Sequence, residues 1–228
     1  MEKYPLKYIK SKFILKQIME HLTKDKLFTI INYNKLFQDK LEIGINDYKK
    51  YYEQIIIEII PINRDHLNDF INEEYQSYYH IYFNNDKNES KRCRFYKNDN
   101  ITKITIILDN NIHSFKKLFY QCKCIEKIKF IKCKKNDITS MNLMFSGCTL
   151  LKELDINNLN TINVTNMCAM FDECSSLKEL NLNNFNTINV TDMSYMFRGC
   201  SSIKELNLNN FNTNNVTYMD ICSLDVHH

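Results

Sequence analysis

Apolar residues recur every 26 positions through the second half of the chain, and several columns of them keep the same register. The columns are Phe119, Phe145, Phe171 and Phe197; Cys122, Cys148, Cys174 and Cys200; Ile128, Leu154, Leu180 and Leu206; and Ile138, Val164, Val190 and Val216. Columns that share one period indicate repeats that stack, so we expect equivalent side chains to form one continuous apolar core. Residues 101–106 fit the same template with about two residues deleted, which predicts a degenerate first repeat.

Each repeat combines two local patterns. In its first half, Leu180 and Leu182 flank Asn181, as in a strand that buries its leucines and exposes the residue between them. In its second half, Met193 follows Val190 by three residues and is itself followed by a methionine three residues later, which predicts a short helical return. The strands of successive repeats are expected to form one parallel sheet.

Helical periodicity is the dominant pattern in the first fifty residues. An apolar stripe with the spacing of an amphipathic helix is formed by Leu15, Ile18, Met19 and Leu22. A second helix is predicted from Leu27 to Asn34, with Thr23 or Asp25 as its N-cap. These helices begin a small, mainly helical N-terminal domain, which we predict over residues 1–83.

Three further segments lead from these helices to the repeats. Residues 54–61 are rich in β-branched side chains and end at Pro61, so they predict a buried strand. The apolar residues between Leu67 and Tyr79 predict one more helix beside that strand. Residues 84–92 are polar throughout and indicate a linker, which we predict over residues 84–100, followed by the repeat domain at residues 101–228.

The composition is that of an ordinary globular chain of 228 residues, 44% of them hydrophobic and 25% charged. A net charge of +3 with a pI near 8.3 does not favour nucleic-acid binding, so no nucleic-acid partner is expected. No apolar run reaches the roughly 18 residues of a membrane span. The first residues lack the apolar core of a secretory signal, which predicts a cytoplasmic protein, or a cell-surface protein if the chain is a processed fragment.

The sequence contains no pattern typical of catalysis or of metal binding. Four of its nine cysteines occupy one repeat column and none forms a Cys-x-x-Cys pair, which predicts buried, reduced thiols, although stacking also brings column neighbours within disulfide range. The histidines lack metal-ligand spacing, and the three glycines form no phosphate-binding loop. No nucleophile, base and orienting group converge. We expect a non-catalytic protein without metal or cofactor.

The outward positions of the predicted strands are the candidate protein-binding residues. They are Lys152, Glu153, Asp155, Lys178, Glu179, Asn181, Lys204, Glu205 and Asn207. Stacking aligns lysines in one column and glutamates in the next, which predicts a polar, nearly neutral strip. The strip either binds a partner or is a solvated face without one. Residues that differ between repeats, such as Ala169, Tyr195 and Arg198, are a second source of specificity.

Three Asn-Val-Thr sequences begin at Asn163, Asn189 and Asn215. They match the glycosylation pattern, but their place in the repeat predicts a hydrogen-bonded ladder of Asn and Thr side chains. Attached glycan would instead indicate a cell-surface protein.

The repeat resembles the BspA-type leucine-rich repeat. That family's pattern, Phe-x-Thr-x-Asn-Val-Thr-x-Met-x-x-Met-Phe-x-x-Cys-x-x-Leu-x-x-Leu, is followed from Phe185 to Leu206 with Ile203 at the first Leu, and the resemblance covers about residues 101–224. It implies an α/β repeat fold, a right-handed leucine-rich-repeat solenoid with a parallel β-sheet. It also implies adhesion or protein binding, and no enzymatic activity.

The N-terminal region resembles an F-box, the helical motif that docks on the Skp-family linker of cullin ubiquitin ligases. The resemblance rests on the apolar spacing between Ile14 and Phe37. It implies a substrate adaptor in which four side chains are exposed for a Skp-family protein, namely Leu15, Ile18, Leu22 and Leu27. If the region is instead a helical cap on the repeats, the same side chains are buried.

The predicted function is therefore non-catalytic binding of a protein partner on the surface of the repeats. An F-box-type adaptor of a ubiquitin ligase is the second hypothesis. A cell-surface adhesin is the third.

Overall fold

The computed structural model of the chain describes residues 54–62, 69–94, 96, 99–109 and 111–220, together with Lys35 and Asp39. The chain forms two compact parts, Met1–Tyr52 and Glu53–His228. In the first part, Lys35 and Asp39 are exposed residues with helical backbone. The helices predicted at residues 15–22 and 27–34 lie entirely outside the described residues. All elements below belong to the second part.

The described residues of the second part form five strands and one 3-10 helix. The strands are β1 (Ile55–Pro61), β2 (Tyr79–Phe83), β3 (Ile104–Leu108), β4 (Ile125–Lys132) and β5 (Glu153–Asp155), and the 3-10 helix is Glu73–Tyr78. They form one mixed sheet in the order β2-β3-β1-β4-β5. β1 is antiparallel to β3 and to β4, β2 is antiparallel to β3, and β4 and β5 are parallel.

β1 is the central strand, and its sequence explains that position. Its isoleucines alternate, so that Ile55, Ile57 and Ile59 are fully buried while the residues between them are partly exposed. Ile57 lies between Ile106 of β3 and Phe130 of β4, which are also fully buried. The strand predicted at residues 54–61 is thus confirmed. Because β1 occupies the place beside β4, residues 101–106 are not a degenerate first repeat, and part of them belongs to β3.

The second half of each repeat folds as consecutive turns. We call these segments turn rows 1 to 4; they are residues 114–122, 140–148, 166–174 and 192–200. In row 1 the N–H groups of Leu118, Tyr120 and Cys122 each donate to the carbonyl three residues earlier. Lys117 and Gln121 have φ values of 60° and 59°, the left-handed conformation that the third residue of a type II turn requires. A helix needs negative φ throughout, so the predicted helical return is not formed.

Backbone hydrogen bonds join each turn row to the next at every second residue. From row 1, the N–H groups of residues 115, 117, 119 and 121 donate to the carbonyls of residues 140, 142, 144 and 146, with N–O distances of 2.8–2.9 Å. The same four bonds recur between rows 2 and 3 and between rows 3 and 4. Each row thereby pairs backbone groups that are otherwise buried without partners.

The apolar columns stack inside these rows as the period predicts. The rings of Phe119, Phe145, Phe171 and Phe197 follow one another with centroids 5.7 Å apart and interplanar angles of 8°, 6° and 3°. Beside them, the Cys148 thiol lies 3.0 Å from the Phe119 carbonyl oxygen, and the two later cysteines of the column repeat this contact. The predicted register of the columns is confirmed.

Residues that precede β2 cover the outer side of turn row 1. The Asn72 N–H donates to the Leu118 carbonyl, and its side-chain amide donates to the Lys117 carbonyl. The Tyr75 hydroxyl donates to the Lys116 carbonyl. The Lys116 and Leu118 carbonyls, which correspond to row 2 carbonyls that accept from row 1, thus gain partners at this end of the stack.

The predicted fold class is wrong for the described residues. Antiparallel pairs dominate the sheet, residues 177–182 and 203–208 form no strands, and the turn rows contain no helix, so a right-handed leucine-rich-repeat solenoid with a parallel β-sheet is not formed. From Gln54 onward, the region predicted as a mainly helical N-terminal domain is mostly sheet. The 3-10 helix and β2 stand where a helix was predicted between Leu67 and Tyr79. Within the described ranges, no helix combines the length and the apolarity needed to cross a bilayer.

Truncation of one ring in the phenylalanine column tests the stacked core. Phe171→Ala removes a fully buried ring with stacked neighbours on both sides, so we expect the free energy of unfolding to fall by about 3–5 kcal/mol. The control is Ile188→Ala at an exposed site, with an expected change within about 0.5 kcal/mol. Chemical denaturation measures both values. Equal, small losses for the two variants would contradict a shared core.

Two substitutions in one column distinguish turn rows from helices. Gly199 has φ 71°, and an added Cβ would lie 3.3 Å from the Glu173 Cα, so Gly199→Ala should cost about 1–2 kcal/mol. Glu173 is exposed and has φ 59°, so Glu173→Gly relieves a left-handed conformation and should be neutral or stabilising by up to about 1 kcal/mol. Urea unfolding measures both. A loss of about 1 kcal/mol for Glu173→Gly, as in a helix interior, would be evidence for the helical return.

Candidate functional site

The nine predicted binding residues lie on three successive repeats and all have exposed surface. We call residues 126–129 of β4 rung 1, residues 152–155 rung 2, residues 178–181 rung 3 and residues 204–207 rung 4. Rungs 2 to 4 carry the predicted residues and are here called the polar strip. Leu180 is buried while Asn181 is exposed, as the sequence predicts.

Opposite charges face each other between rungs 1 and 2. The ion pairs are Glu126–Lys152 at 2.9 Å, Lys127–Glu153 at 2.6 Å and Lys129–Asp155 at 3.1 Å. The last two pairs join residues directly opposite each other in the parallel register of β4 and β5. Charge complementarity and backbone pairing therefore occur at the same place in the strip.

These contacts shift the pKa values of exposed groups. A hydrogen bond from Lys152 lowers the pKa of Glu126, and a hydrogen bond to Glu153 raises the pKa of Lys127. The contribution of Glu126 to stability is therefore present above the ordinary pKa of glutamate and is lost as the pH falls through its lowered pKa. Because these groups are exposed, added salt weakens the pairs.

The later rungs repeat like charges instead of opposing them. Lys152, Lys178 and Lys204 share one column, and the following column consists of glutamates. Among the described residues, the Lys and Glu side chains of rungs 3 and 4 make no ion pair, and no backbone hydrogen bond joins rung 3 to rung 2 or to rung 4. Like charges directly opposite each other disfavour pairing, and the strand pairing of the strip ends at β5.

Open grooves lie between the rungs where pairing is missing. An open groove of ≈ 690 Å³ lies across rungs 3 and 4 and is lined by Glu179, Asn181, Glu205 and Asn207, with Leu180 and Leu206 among its apolar residues. A second groove, between rungs 2 and 3, has Lys152, Glu153, Lys178 and Glu179 along it. The predicted residues therefore meet in pairs of neighbouring rungs across these grooves.

One column of the predicted site has a local structural role. The side-chain oxygens of Asp155, Asn181 and Asn207 each accept a hydrogen bond from the backbone N–H two residues later, at 3.0–3.3 Å. Such Asx turns end the extended segment of each rung. In Asp155, burial raises the pKa, but hydrogen bonds from Lys129 and Asn157 outweigh it and lower the pKa overall. The lysines and glutamates of rungs 3 and 4, which make no ion pair among the described residues, are thus freer to bind a partner than this column.

The variable residues of the turn rows are more constrained than the sequence suggests. Arg198 donates from Nε and Nη2 to both carboxylate oxygens of the buried Asp172, at 2.7 and 2.9 Å, which ties row 4 to row 3. Asp172 raises the pKa of Arg198. Ala169 is buried, and Tyr195 packs its ring under the Arg198 guanidinium. Of the three variable residues, Tyr195 offers an aromatic surface.

The predicted ladder of Asn and Thr side chains is confirmed. The Asn189 side-chain amide donates to the Ile162 carbonyl at 2.7 Å, and the Thr191 hydroxyl donates to the Thr165 carbonyl at 3.1 Å. The same bonds recur one repeat earlier and one repeat later. The Asn-Val-Thr sequences therefore link adjacent repeats.

The column cysteines are poorly suited to nucleophilic chemistry. Burial raises the pKa of Cys200 to about 12, and it also raises the pKa of Cys148 and Cys174. At neutral pH these thiols are protonated, whereas the thiolate is the nucleophile. Elsewhere, Asp69, Glu73 and Cys93 bring three potential metal ligands within 4.8 Å of one another. Sequence reasoning missed this group because its members come from separate segments.

Sequence reasoning also missed rung 1, although a signal was present. Glu126 and Lys127 carry the reverse of the Lys-Glu order found in every later rung. The possible F-box docking residues Leu15, Ile18, Leu22 and Leu27 lie outside the described residues, so that docking site stays a prediction.

Comparison with known proteins gives one family match. Residues 113–224 match the family model described as "Mycoplasma protein of unknown function, DUF285". This domain is found in BspA-like surface proteins, which confirms the resemblance to that group for the repeats but not their leucine-rich-repeat character. The match does not reach the N-terminal region, so the F-box resemblance stays a prediction. No curated protein and no solved structure matches the chain significantly.

Reversing the charges of rung 3 tests why strand pairing ends at β5. In Lys178→Glu/Glu179→Lys, opposite charges face rung 3 from rungs 2 and 4, so we expect amide exchange at residues 178–181 to slow. Stability should rise by about 1–2 kcal/mol at low salt and less at high salt. Lys178→Gln/Glu179→Gln, which only removes like-charge repulsion, should give a smaller change. Unaltered exchange in the charge-reversed variant would show that charge does not limit pairing.

Proposed function

We propose that the protein is a non-catalytic interaction module whose polar strip binds an extended segment of a protein partner. The observation that carries the proposal is a pair of open grooves, one at rungs 2 and 3 and one at rungs 3 and 4. Between rungs 1 and 2, strand pairing closes the corresponding position. An extended peptide in such a groove takes the place of a missing neighbouring strand.

The groove chemistry supports a peptide rather than a small apolar ligand. The partly exposed Leu206 supplies apolar surface above the buried Leu180, while glutamate and asparagine side chains surround them. The backbone of rungs 3 and 4 has no hydrogen bond to a neighbouring rung among the described residues, so its N–H and C=O groups are suited to pair with a peptide main chain. Main-chain pairing gives affinity, and side-chain pockets give sequence preference.

The charges of the strip indicate the kind of segment that fits. Lys178 and Lys204 form a basic column beside the acidic column of Glu179 and Glu205. A partner segment with both acidic and basic side chains satisfies both columns, whereas a segment with one sign of charge is repelled by one of them. We therefore expect binding to weaken with added salt.

Cell-surface adhesion is the second candidate, because the matched domain occurs in BspA-like surface proteins. Here the same strip binds a protein outside the cell. Labelling of intact native cells with a membrane-impermeant amine reagent tests this placement. Labelled protein supports adhesion, and protection until the cells are lysed favours an internal partner.

Peptide selection tests the proposed function directly. Random peptides displayed on phage are selected on the full chain, and the best binder is titrated against a strip variant with Lys178, Glu179, Lys204 and Glu205 changed to Ala. We expect binding to weaken at least about tenfold, since several exposed charge contacts of about 0.2–1 kcal/mol each are lost. The matched control removes two exposed lysines and two exposed glutamates elsewhere, namely Lys87, Lys116, Glu74 and Glu173.

The control should bind the selected peptide like the unmodified chain. Equal affinity for the strip variant would refute the proposed site, as would the same loss in both variants. Slower amide exchange of rungs 3 and 4 in the bound state would locate the peptide on the strip.

A further inference from the structure

A compact group of metal-ligating side chains lies between the 3-10 helix and the segment that follows β2. Asp69 pairs with Arg94 through an isolated antiparallel bridge, Glu73 is the first residue of the 3-10 helix, and Cys93 precedes Arg94. One ligand atom from each of Asp69, Glu73 and Cys93 lies within 4.8 Å of the others, and Cys93 Sγ is 3.4 Å from Glu73 Oε1. The carboxylates are exposed and the thiol is buried, so the group opens to solvent on one side.

A buried hydroxyl without a partner points into the same group. Tyr79 is 4% exposed, and its hydroxyl makes no hydrogen bond of normal geometry within the described part of the chain. Burial raises the pKa of Tyr79, and Cys93, Glu73 and Asp69 beside its hydroxyl raise that pKa further. Buried polar groups in folded proteins are nearly always paired, so an enclosed hydroxyl beside three ligand atoms is suited to pair with a further polar ligand at this place.

Arg94 is the cation that now balances this group. Its Nε lies 2.9 Å from Asp69 Oδ1, and its Nη2 lies 2.5 Å from Glu73 Oε1. The Arg94 side chain is 40% exposed, so its guanidinium group can turn away from the carboxylates into solvent, where water solvates its charge. The two carboxylates thus have a cation that a metal ion can displace.

We propose that Asp69, Glu73 and Cys93 form a binding site for a divalent cation of the zinc class, with Arg94 as the competing internal cation. The chemistry of the three donors favours this class, because thiolate sulfur prefers zinc or cadmium and is a poor ligand for magnesium or calcium. Ligands about 2.0–2.3 Å from a tetrahedral zinc ion lie roughly 3.3–3.7 Å apart. The sulfur–oxygen distance of 3.4 Å between Cys93 and Glu73 already fits that spacing.

Binding changes the protonation and the pairing of named groups. The Cys93 thiol releases its proton to solvent as the metal–sulfur bond forms, and the Arg94 guanidinium leaves the two carboxylates. Water fills the fourth position, within reach of the enclosed Tyr79 hydroxyl, which then gains a partner. The site resembles no part of the polar strip and uses none of its residues.

The position of the site gives it a structural effect. Asn72 and Tyr75, which close turn row 1, lie in the same segment as Asp69 and Glu73. A metal ion that joins this segment to Cys93 therefore restrains the residues that cap the stack. Metal binding to the folded chain alone raises its stability with metal concentration.

Cadmium titration of the reduced full chain tests the proposal. The Cd–thiolate charge-transfer absorbance should rise to one equivalent, and zinc should compete for the same site. Cys93→Ser should abolish the signal, whereas Cys168→Ser, at a partly exposed cysteine outside the group, should leave it unchanged. Asp69→Asn should weaken binding about 10–100-fold.

For Arg94→Gln we expect a result that an unfolded variant would not produce. Removing the competing cation should tighten binding of one cadmium ion several-fold, with the same charge-transfer signal and cooperative unfolding. A one-equivalent signal that persists in Cys93→Ser would overturn the proposal, and so would weaker binding by folded Arg94→Gln. No binding by the unmodified chain would also overturn it, leaving Arg94 as the permanent partner of the two carboxylates.

Discussion

The backbone hydrogen-bond ladder between turn rows is the interaction on which the rest of the repeat structure depends. Each of rows 1 to 3 donates four N–H groups to the next row, which requires a donor at every second residue and a constant repeat length. Left-handed residues near the third position of each turn direct these donors, and the phenylalanine rings stack at 5.7 Å because the rows hold them there. A buried backbone group without a partner costs about 1–3 kcal/mol, so an insertion inside a row is penalised several times over.

On the opposite side of each repeat, the rungs are joined by weaker interactions than the turn rows. On rungs 1 and 2, reversed charges and parallel strand pairing occur together, whereas rungs 3 and 4 repeat like charges and, among the described residues, are not paired as strands. Exposed ion pairs contribute little individually, and between rungs 1 and 2 three of them add to the backbone pairing of a strand only three residues long. The apolar core does not suffer, since Leu177, Leu180 and Leu182 stay buried beneath the open grooves. A rigid set of rows thus supports a surface that keeps free hydrogen-bonding groups.

The N-terminal side of the stack is closed by elements that the repeat pattern does not contain. β1 runs antiparallel beside β4, where one more repeat would otherwise pair, and Asn72 and Tyr75 satisfy the outer carbonyls of turn row 1. Repeat arrays need such terminal caps because their end surfaces are otherwise unpaired. The 3-10 helix, the group around Cys93 and the first turn row therefore form one connected region.

The sequence by itself determined the repeat period, the buried columns, the strand at residues 54–61 and the Asn/Thr ladder, because each depends on residues at a fixed spacing. It also placed the strip residues on an exposed face. It did not determine the backbone of the turn rows: Met141 and Met144, three residues apart, fit a helix and a pair of turns equally well, and Leu143 adopts φ 56° without the glycine that normally marks such a position. Only the tertiary structure decided this, since inter-row hydrogen bonds impose the left-handed residues. It likewise decided that β1, distant in sequence, lies beside β4, because strand partners are chosen by packing of whole faces and leave no periodic mark in the chain.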